Sequence, residues 1–409
     1  MKLPVLFILI TVMIDAMGIG LIVPVMPDLI QEVRGMGLGT AALWGGVLST
    51  VFALMQFLFG PLIGALSDRY GRRPVLLVSL VVMALDYIVM AVAGTIWLLL
   101  AGRIVGGITA ATQSTANAYM ADISAPSDKA ANFGLIGAAF GLGFVLGPVI
   151  GGLLAEYGTR APFYAAAALA GLNAVFGYFV LTETVTDRIR RPFAWRRANP
   201  LGVFKHLGRL HGLAPLLLVY CIYQLAFGVY PAVWAYYTAE RFSWSPGMVG
   251  LSLGLFGISM ALVQGGLIRP VLRVLAERGA VIYGHVADIG VFLLIGMVSS
   301  GTLLLILTPL AALPAVITPA LQGIMSKAVG DDEQGELQGA LTSIAALAMI
   351  LSPLMMTGAF YGFTRPSSGY YLPGAPFFLA ACLMALALFV FLRTSKLVSS
   401  PDVSGQAAP

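Results

Sequence analysis

Charge is scarce in this chain. Asp, Glu, Lys and Arg make up only 10% of its 409 residues, and 59% are apolar, whereas an average soluble domain is about 25% charged. That deficit excludes an ordinary soluble enzyme. Sulfur and imidazole are scarcer still, with two Cys and three His. Cys221 and Cys382 each lie inside an apolar run, far apart, so no disulfide framework and no Cys/His metal spacing can be written. No metal site and no cofactor is expected. The net charge of +5 would suit nucleic acid, but the basic residues are not gathered on a polar domain. They follow membrane topology, and no nucleic-acid partner is expected.

What the chain has instead is long apolar runs. A spanning helix needs about 20 apolar residues, and division at charges and Gly/Pro clusters gives twelve runs: 4–27, 41–66, 74–94, 96–118, 133–155, 161–181, 213–237, 247–268, 280–298, 302–325, 337–361 and 374–393. The first run carries Asp15 and lacks a small-residue cleavage site, so it reads as a helix and not as a signal peptide. With the N-terminus inside, the outer loops hold only Arg34, Arg160, Arg241 and Arg365, and nearly all other Lys and Arg fall inside. The positive-inside rule therefore predicts both termini in the cytoplasm, in a multi-pass protein of the cytoplasmic (inner) membrane.

The longest polar stretch, 183–212, carries Arg188, Arg190, Arg191, Arg196, Arg197, Lys205 and Arg209 and divides the runs six and six. It reads as a basic cytoplasmic linker on anionic lipid. Residues 1–182 form an N-terminal and 213–394 a C-terminal six-helix bundle, and 395–409 is expected to be a disordered tail. An internal repeat supports the division: Met120/Met325, Gly134/Gly339 and Pro148/Pro353 all stand 205 positions apart. The expected fold is an all-α membrane protein of twelve helices in two parallel-repeat bundles, with a cavity between them at mid-membrane. A monomer is expected.

A buried ionisable residue in a membrane is costly and marks function by default. Four qualify: Asp15, Asp86, Arg103 and Asp288. Asp15 stands beside Gly18 and Gly20, and is either a proton-loading acid or a packing ion-pair partner. Asp86 and Asp288 lie in equivalent helices, one turn short of the 205 offset, and are expected to face the central cavity. His285, three residues before Asp288, either shares its proton or is a polar residue nearer the cytoplasmic end. Arg103 cannot be relieved by deprotonation and needs a carboxylate, Asp15 or Asp86.

Two motifs stand out. Gly64-Ala-Leu-Ser-Asp68-Arg69-Tyr-Gly71-Arg72-Arg73 joins the second and third runs. Gly71 permits a tight turn, and Asp68 can pair with an arginine or cap a helix, which together make a latch for the cytoplasmic face. In the fifth run, Gly143-x-x-x-Gly147-Pro148-x-x-Gly151 reads as a close helix-packing stripe with a proline kink. The seventh run carries Tyr220, Tyr223, Gln224, Phe227, Tyr230 and Trp234 at helical spacing. It serves either packing or a flat amphipathic ligand.

These residues resemble the major facilitator superfamily, and within it the drug:proton antiporters. Leu85-Asp86-Tyr87, Gly102-Arg103 through Asp122-Ile123, Gly147-Pro148-Val149, Arg241-Phe242-x-Trp244, Ala287-Asp288 and Leu337-Gln338-Gly339 are similar to the tetracycline efflux proteins. The resemblance implies export of an amphipathic drug, arriving there as a magnesium–tetracycline chelate, in exchange for protons. It matches Asp15, Asp86 and Asp288 to membrane aspartates, Asp68 and Arg72 to the latch, and Arg103 with Asp122 to a fourth-helix pair. Gln56 and Gln264 fall at polar positions of the family. Met260 replaces the family's eighth-helix histidine, Gln113 and Asn117 replace small residues, and Gly228 replaces a polar one, all where a drug would be read.

The reading that follows is a proton-driven exporter of amphipathic small molecules working by alternating access, its partners a drug, protons and the lipid bilayer. An uptake symporter uses the same fold in the other direction. A non-transporting receptor has little reason to bury so many aspartates. An enzyme lacks any visible nucleophile–base set.

Overall fold

The computed structural model describes residues 3–110, 112–125, 127–186, 190, 212–330 and 333–398. Most of the basic linker and residues 399–409 lie outside the described residues. Among the described residues, eleven helical stretches are long and apolar enough to cross a membrane. One of them, Pro246–Met297, has 52 residues and would be about 80 Å long if straight, against a hydrocarbon core of about 30 Å. It is broken at Ala276, where φ is 52° and ψ 175°. Counted as two, it brings the crossings to twelve, as the apolar runs predict.

We label them α1 (Leu3–Ile22, continuing through a turn as Met26–Arg34), α2 (Leu38–Tyr70), α3 (Arg72–Val92), α4 (Ile96–Thr109 and Thr112–Ile123), α5 (Lys129–Leu154), α6 (Ala161–Val180), α7 (Ala214–Phe227 and Val229–Phe242), α8 (246–275), α9 (277–297), α10 (Gly301–Leu307 through Ile317–Lys327), α11 (Gln334–Thr364) and α12 (Ala375–Val398). The last helix runs on to Val398, so the expected tail from 395 begins as helix. α5 is continuous through Pro148.

Among the described residues, interruptions in the helices repeat between the halves. α1 passes through a 3-10 turn at Val23–Val25, and 205 residues on α7 breaks at Gly228. α4 breaks after Thr109, and at the same offset α10 runs as a 3-10 helix over Leu310–Val316. Each break frees backbone groups that a continuous helix would satisfy. Within a membrane such groups are tolerated only where protein or a polar cavity receives them.

The two ends of the molecule differ. At the end away from the termini, α2 meets α11 and α5 meets α8 across the two halves through glycines: a Cβ on Gly46 would strike Thr357 Oγ1 and Pro353 O, and one on Gly250 would strike Pro148 O. Thr50 Oγ1 donates to Ile350 O at 2.8 Å across the same seam. Toward the termini, Gly60 and Gly64 on α2, Gly134, Gly137 and Gly141 on α5, Gly265 and Gly266 on α8, and Gly335 and Gly339 on α11 have open space where a Cβ would stand. The same four helices touch at one end and part at the other, leaving a cleft open toward the termini.

Candidate functional site

The cleft leads toward the interrupted helices, and unpaired buried polar atoms occur in both halves. Asp15 Oδ1, Asp86 Oδ1, Arg103 Nε, Thr115 Oγ1, Asn117 Oδ1, Tyr230 Oη, Tyr236 Oη, His285 Nε2 and Asp288 Oδ2 are all buried with no hydrogen-bond partner among the described residues. Proteins rarely leave buried polar atoms unpaired. Such atoms on membrane helices, with discontinuous helices among them, mark where a transporter binds its cargo.

In the N-terminal half the centre is an ion pair. Arg103 Nη2 lies 3.2 Å from Asp86 Oδ2, with both residues buried. The guanidinium also contacts Met90 Sδ and stands 5.2 Å from the centre of the Phe52 ring. Glycines make the room: a Cβ on Gly102 or Gly106 would collide with the Asp86 carboxylate, and one on Gly107 with the backbone of Phe52. Of the two candidate partners for Arg103, the structure pairs it with Asp86. Asp15 is half-buried one turn before Gly18, on which the Tyr87 hydroxyl rests. Tyr87 lies within electrostatic reach of Asp15, Asp86 and Arg103 together. Gln56 Nε2 donates at 3.5 Å to Ala110 O, at the break in α4. Asn117 is half-buried close by, and the side chain of Gln113 lies outside the described residues.

The centre of the C-terminal half has a carboxylate and, among the described residues, no arginine beside it. Asp288 and His285 on α9 are 2% and 0% exposed. They pack behind α7, where the Tyr223 ring stands 6.3 Å from His285 and Tyr230 stands 5.5 Å from Phe292. Asp86 and Asp288 therefore do not open onto the cleft as the sequence suggested. Each sits behind its inner helix, Asp86 behind α4 and Asp288 behind α7. The aromatic stripe divides likewise: Tyr220, Tyr223, Tyr230 and Trp234 are core residues, and Trp234 Nε1 donates to Ser252 Oγ at 2.9 Å. Gln224 and Phe227 keep partial exposure beside the break at Gly228. Met260 packs against Ala312, Ala315 and Val316 of α10, an apolar contact in place of a polar one. Gln264 is exposed on a π-turn, Val263–Leu267, a distortion frequent at functional sites.

The latch is built within one half. Arg72 Nη1 lies 2.5 Å from Asp68 Oδ1, and Arg72 Nε 3.3 Å from Asp122 Oδ2. Arg72 also donates to Ser67 Oγ, and Thr184 to Asp122. Arg69 stands apart over the Tyr70 ring, and Arg73 reaches Tyr178 O at 2.8 Å. Glu183 was not expected here. Its carboxylate accepts the backbone N–H of Arg72 at 2.9 Å and of Arg73 at 3.2 Å, capping α3 over Gly71, whose φ is 112°. Nothing in its sequence neighbourhood separates Glu183 from the linker that follows.

A second latch was legible and missed. At the 205 offset Asp68, Arg72 and Asp122 become Arg273, Glu277 and Lys327, every charge reversed, and Gly71 becomes Ala276. Lys327 Nζ lies 2.7 Å from Glu277 Oε1, and Ala276 carries the matching positive φ. The glycine–proline stripe serves packing: Gly143, Gly147 and Gly151 meet the α1 carbonyls of Met13, Met17 and Leu21, where any Cβ would collide.

The model of the Major Facilitator Superfamily matches residues 8–353. Over 387 residues the chain is 42% identical to the class C tetracycline resistance protein of Escherichia coli, covering 94% of this chain and 97% of that one. To the class E tetracycline resistance protein of Escherichia coli it is 40% identical over 357 residues, 86% of each chain. Among solved structures it is similar to the human organic anion transporter MFSD10 (TETRAN), with a TM-score of 0.68 at 27% identity over 95% of this chain and 99% of that one. The repeat, the interrupted helices and the cleft agree with these matches, and the chain belongs to the major facilitator superfamily as a multi-pass membrane transporter and not an enzyme.

Proposed function

We propose that this protein exports an amphipathic drug across the cytoplasmic membrane in exchange for protons, with tetracycline, carried as its magnesium chelate, as the first candidate. The names of its relatives support the drug class. One observation carries the coupling: Asp86 pairs with the buried Arg103 near Asp15 in one half, Asp288 is buried in the other, and part of the acceptor capacity of all three is unused. A carboxylate in such a place holds either a proton or a cation, because bare charge is costly there. Exchange of one for the other is antiport.

With both termini cytoplasmic, as the positive-inside rule directs, the open cleft faces the cytoplasm and the glycine seam shuts the outer side. Drug enters from inside, and rocking of the halves opens the seam and closes the cleft. Outside, protons take the carboxylates and release the drug. Gln224, Phe227, Gln264, Gln56 and Asn117 line the path a drug would take, and Gln113 belongs with them by its place on α4.

The test uses purified protein in liposomes with an imposed pH gradient, following tetracycline with and without Mg²⁺. Magnesium-dependent movement opposite to the proton flux, lost in Asp288→Asn, is the expected result. Drug movement that ignores the gradient, or that runs with the protons, overturns the antiport reading.

A further inference from the structure

The C-terminal half buries a carboxylate without a counter-ion. Asp86 has Arg103, but the position 205 residues beyond Arg103 is Thr308, and its hydroxyl is engaged with Leu304 O at 2.9 Å. Asp288 Oδ2 is left without a partner. One turn earlier on the same face of α9 stands His285, fully buried. Its Nδ1 lies 2.8 Å from Val281 O. A carbonyl only accepts, so Nδ1 carries the hydrogen, and in the neutral ring the lone pair sits on Nε2. That nitrogen has no partner among the described residues. The backbone thus holds the imidazole with its basic atom unoccupied.

Among the described residues, the surroundings supply no other cation. From α7 the site receives Tyr220, Tyr223 and Tyr230. Tyr220 stands beside Gln322, Tyr223 beside Thr318, and the Tyr230 hydroxyl is unpartnered among the described residues. α10 brings Thr318 and Gln322, and its Lys327 is paired with Glu277 at the helix end. α12 brings Phe377, Ala380 and Ala381 to the core, while its Cys382 is exposed elsewhere.

We propose that His285 is a second proton carrier of this transporter and the counter-charge of Asp288. When the Asp288 carboxyl ionises, its O–H bond breaks and an N–H bond forms at His285 Nε2, leaving a carboxylate–imidazolium pair that is neutral as a whole. Passing that proton onward leaves a carboxylate free for a cationic substrate. The N-terminal half, with a permanent guanidinium, has a fixed counter-charge, and the C-terminal half has a switchable one. This inference rests on the proton-coupled reading above, yet it can be tested apart from transport.

The full-length protein, labelled with ¹³C,¹⁵N-histidine and reconstituted in lipid, has only three imidazoles to resolve, and His285→Asn assigns the one in question. NMR should show the Nδ1–H tautomer at high pH and protonation as the pH falls, with a lower midpoint in Asp288→Asn because the carboxylate no longer stabilises the cation. A His285 that stays neutral throughout, or whose midpoint ignores Asp288→Asn, overturns the proposal. In liposomes His285→Asn keeps a side-chain amide for Val281 O but has no basic nitrogen. Its drug:proton exchange should fall at least tenfold, with an altered pH profile, whereas a slower rate on the wild-type profile marks a packing role and counts against the proposal. Failure of the wild-type protein to couple drug and proton movement would sink the transport reading, and the NMR result would still decide on His285.

Discussion

At the scale of single residues, the Asp86–Arg103 pair shows how asymmetric a buried ion pair is. Either partner alone is an uncompensated charge, but a carboxylate can take up a proton and a guanidinium cannot lose one. Asp86→Asn is therefore expected to destabilise more than Arg103→Gln, by about 3–5 kcal/mol for the stranded arginine, and the double variant should regain most of the loss. Apparent Tm in detergent checks this, and equal losses from the two single changes would refute the asymmetry. The sequence marked both residues as buried and functional, because a charge set in an apolar run is too costly to keep without a use. It left the choice between Asp15 and Asp86 open, since that depends on Gly102 and Gly106 admitting the carboxylate to one face of α4. Nor could it tell that the same pair lies behind α4, because an apolar helix in a bundle does not declare which side faces neighbours, lipid or cleft.

At the scale of elements, the two latches differ by one methyl group in a telling place. Gly71 turns at φ 112° without penalty, and Ala276 makes the corresponding turn at φ 52°, a region that L-residues avoid at a cost of about 1–3 kcal/mol. Ala276→Gly should raise the apparent Tm by a few degrees, and no gain would mean that the turn is not strained. Gly71→Ala should lower it, since the added carbon meets the Glu183 carboxylate and also breaks the cap on α3. The spans were legible because a bilayer sets helix length. The interruptions were not: Val23–Val25 and Leu310–Val316 contain proline, but prolines at 148 and 353 lie inside unbroken helices. Proline alone did not say which helices would break. The second latch was within reach, because the repeat that joined Met120 to Met325 also joins Arg72 to Glu277 and Asp122 to Lys327. Reversal of every charge hid it from a search for like residues. If Glu277–Lys327 steadies the inner face, Glu277→Lys and Lys327→Glu should each slow drug exchange, and the exchanged pair together should recover it. A double variant as slow as the singles would show that sign, and not only pairing, matters there.

For the whole molecule, the contrast between its ends is the quantity to measure. With Cys221 and Cys382 replaced, single cysteines at Gly134 and Gly339 should react readily with a water-soluble maleimide, and those at Ile350 or Gly247 should react slowly. A pH gradient with drug present should narrow the difference. Uniform labelling at all four positions would contradict a protein that opens one end at a time. The closed end is shut by close fit: glycines against backbone and side chains of the other half, one hydroxyl on a carbonyl, and an apolar core that draws on both halves. Parting such a seam uncovers apolar surface, which favours closing it again, and the glycine contacts make the fit on return reproducible. The same closeness makes it a point of attack. A single base change from glycine to valine at Gly46 or Gly250 would wedge the gate ajar without touching a charge, and a compound shaped to lie along that groove would do from outside what the valine does from within.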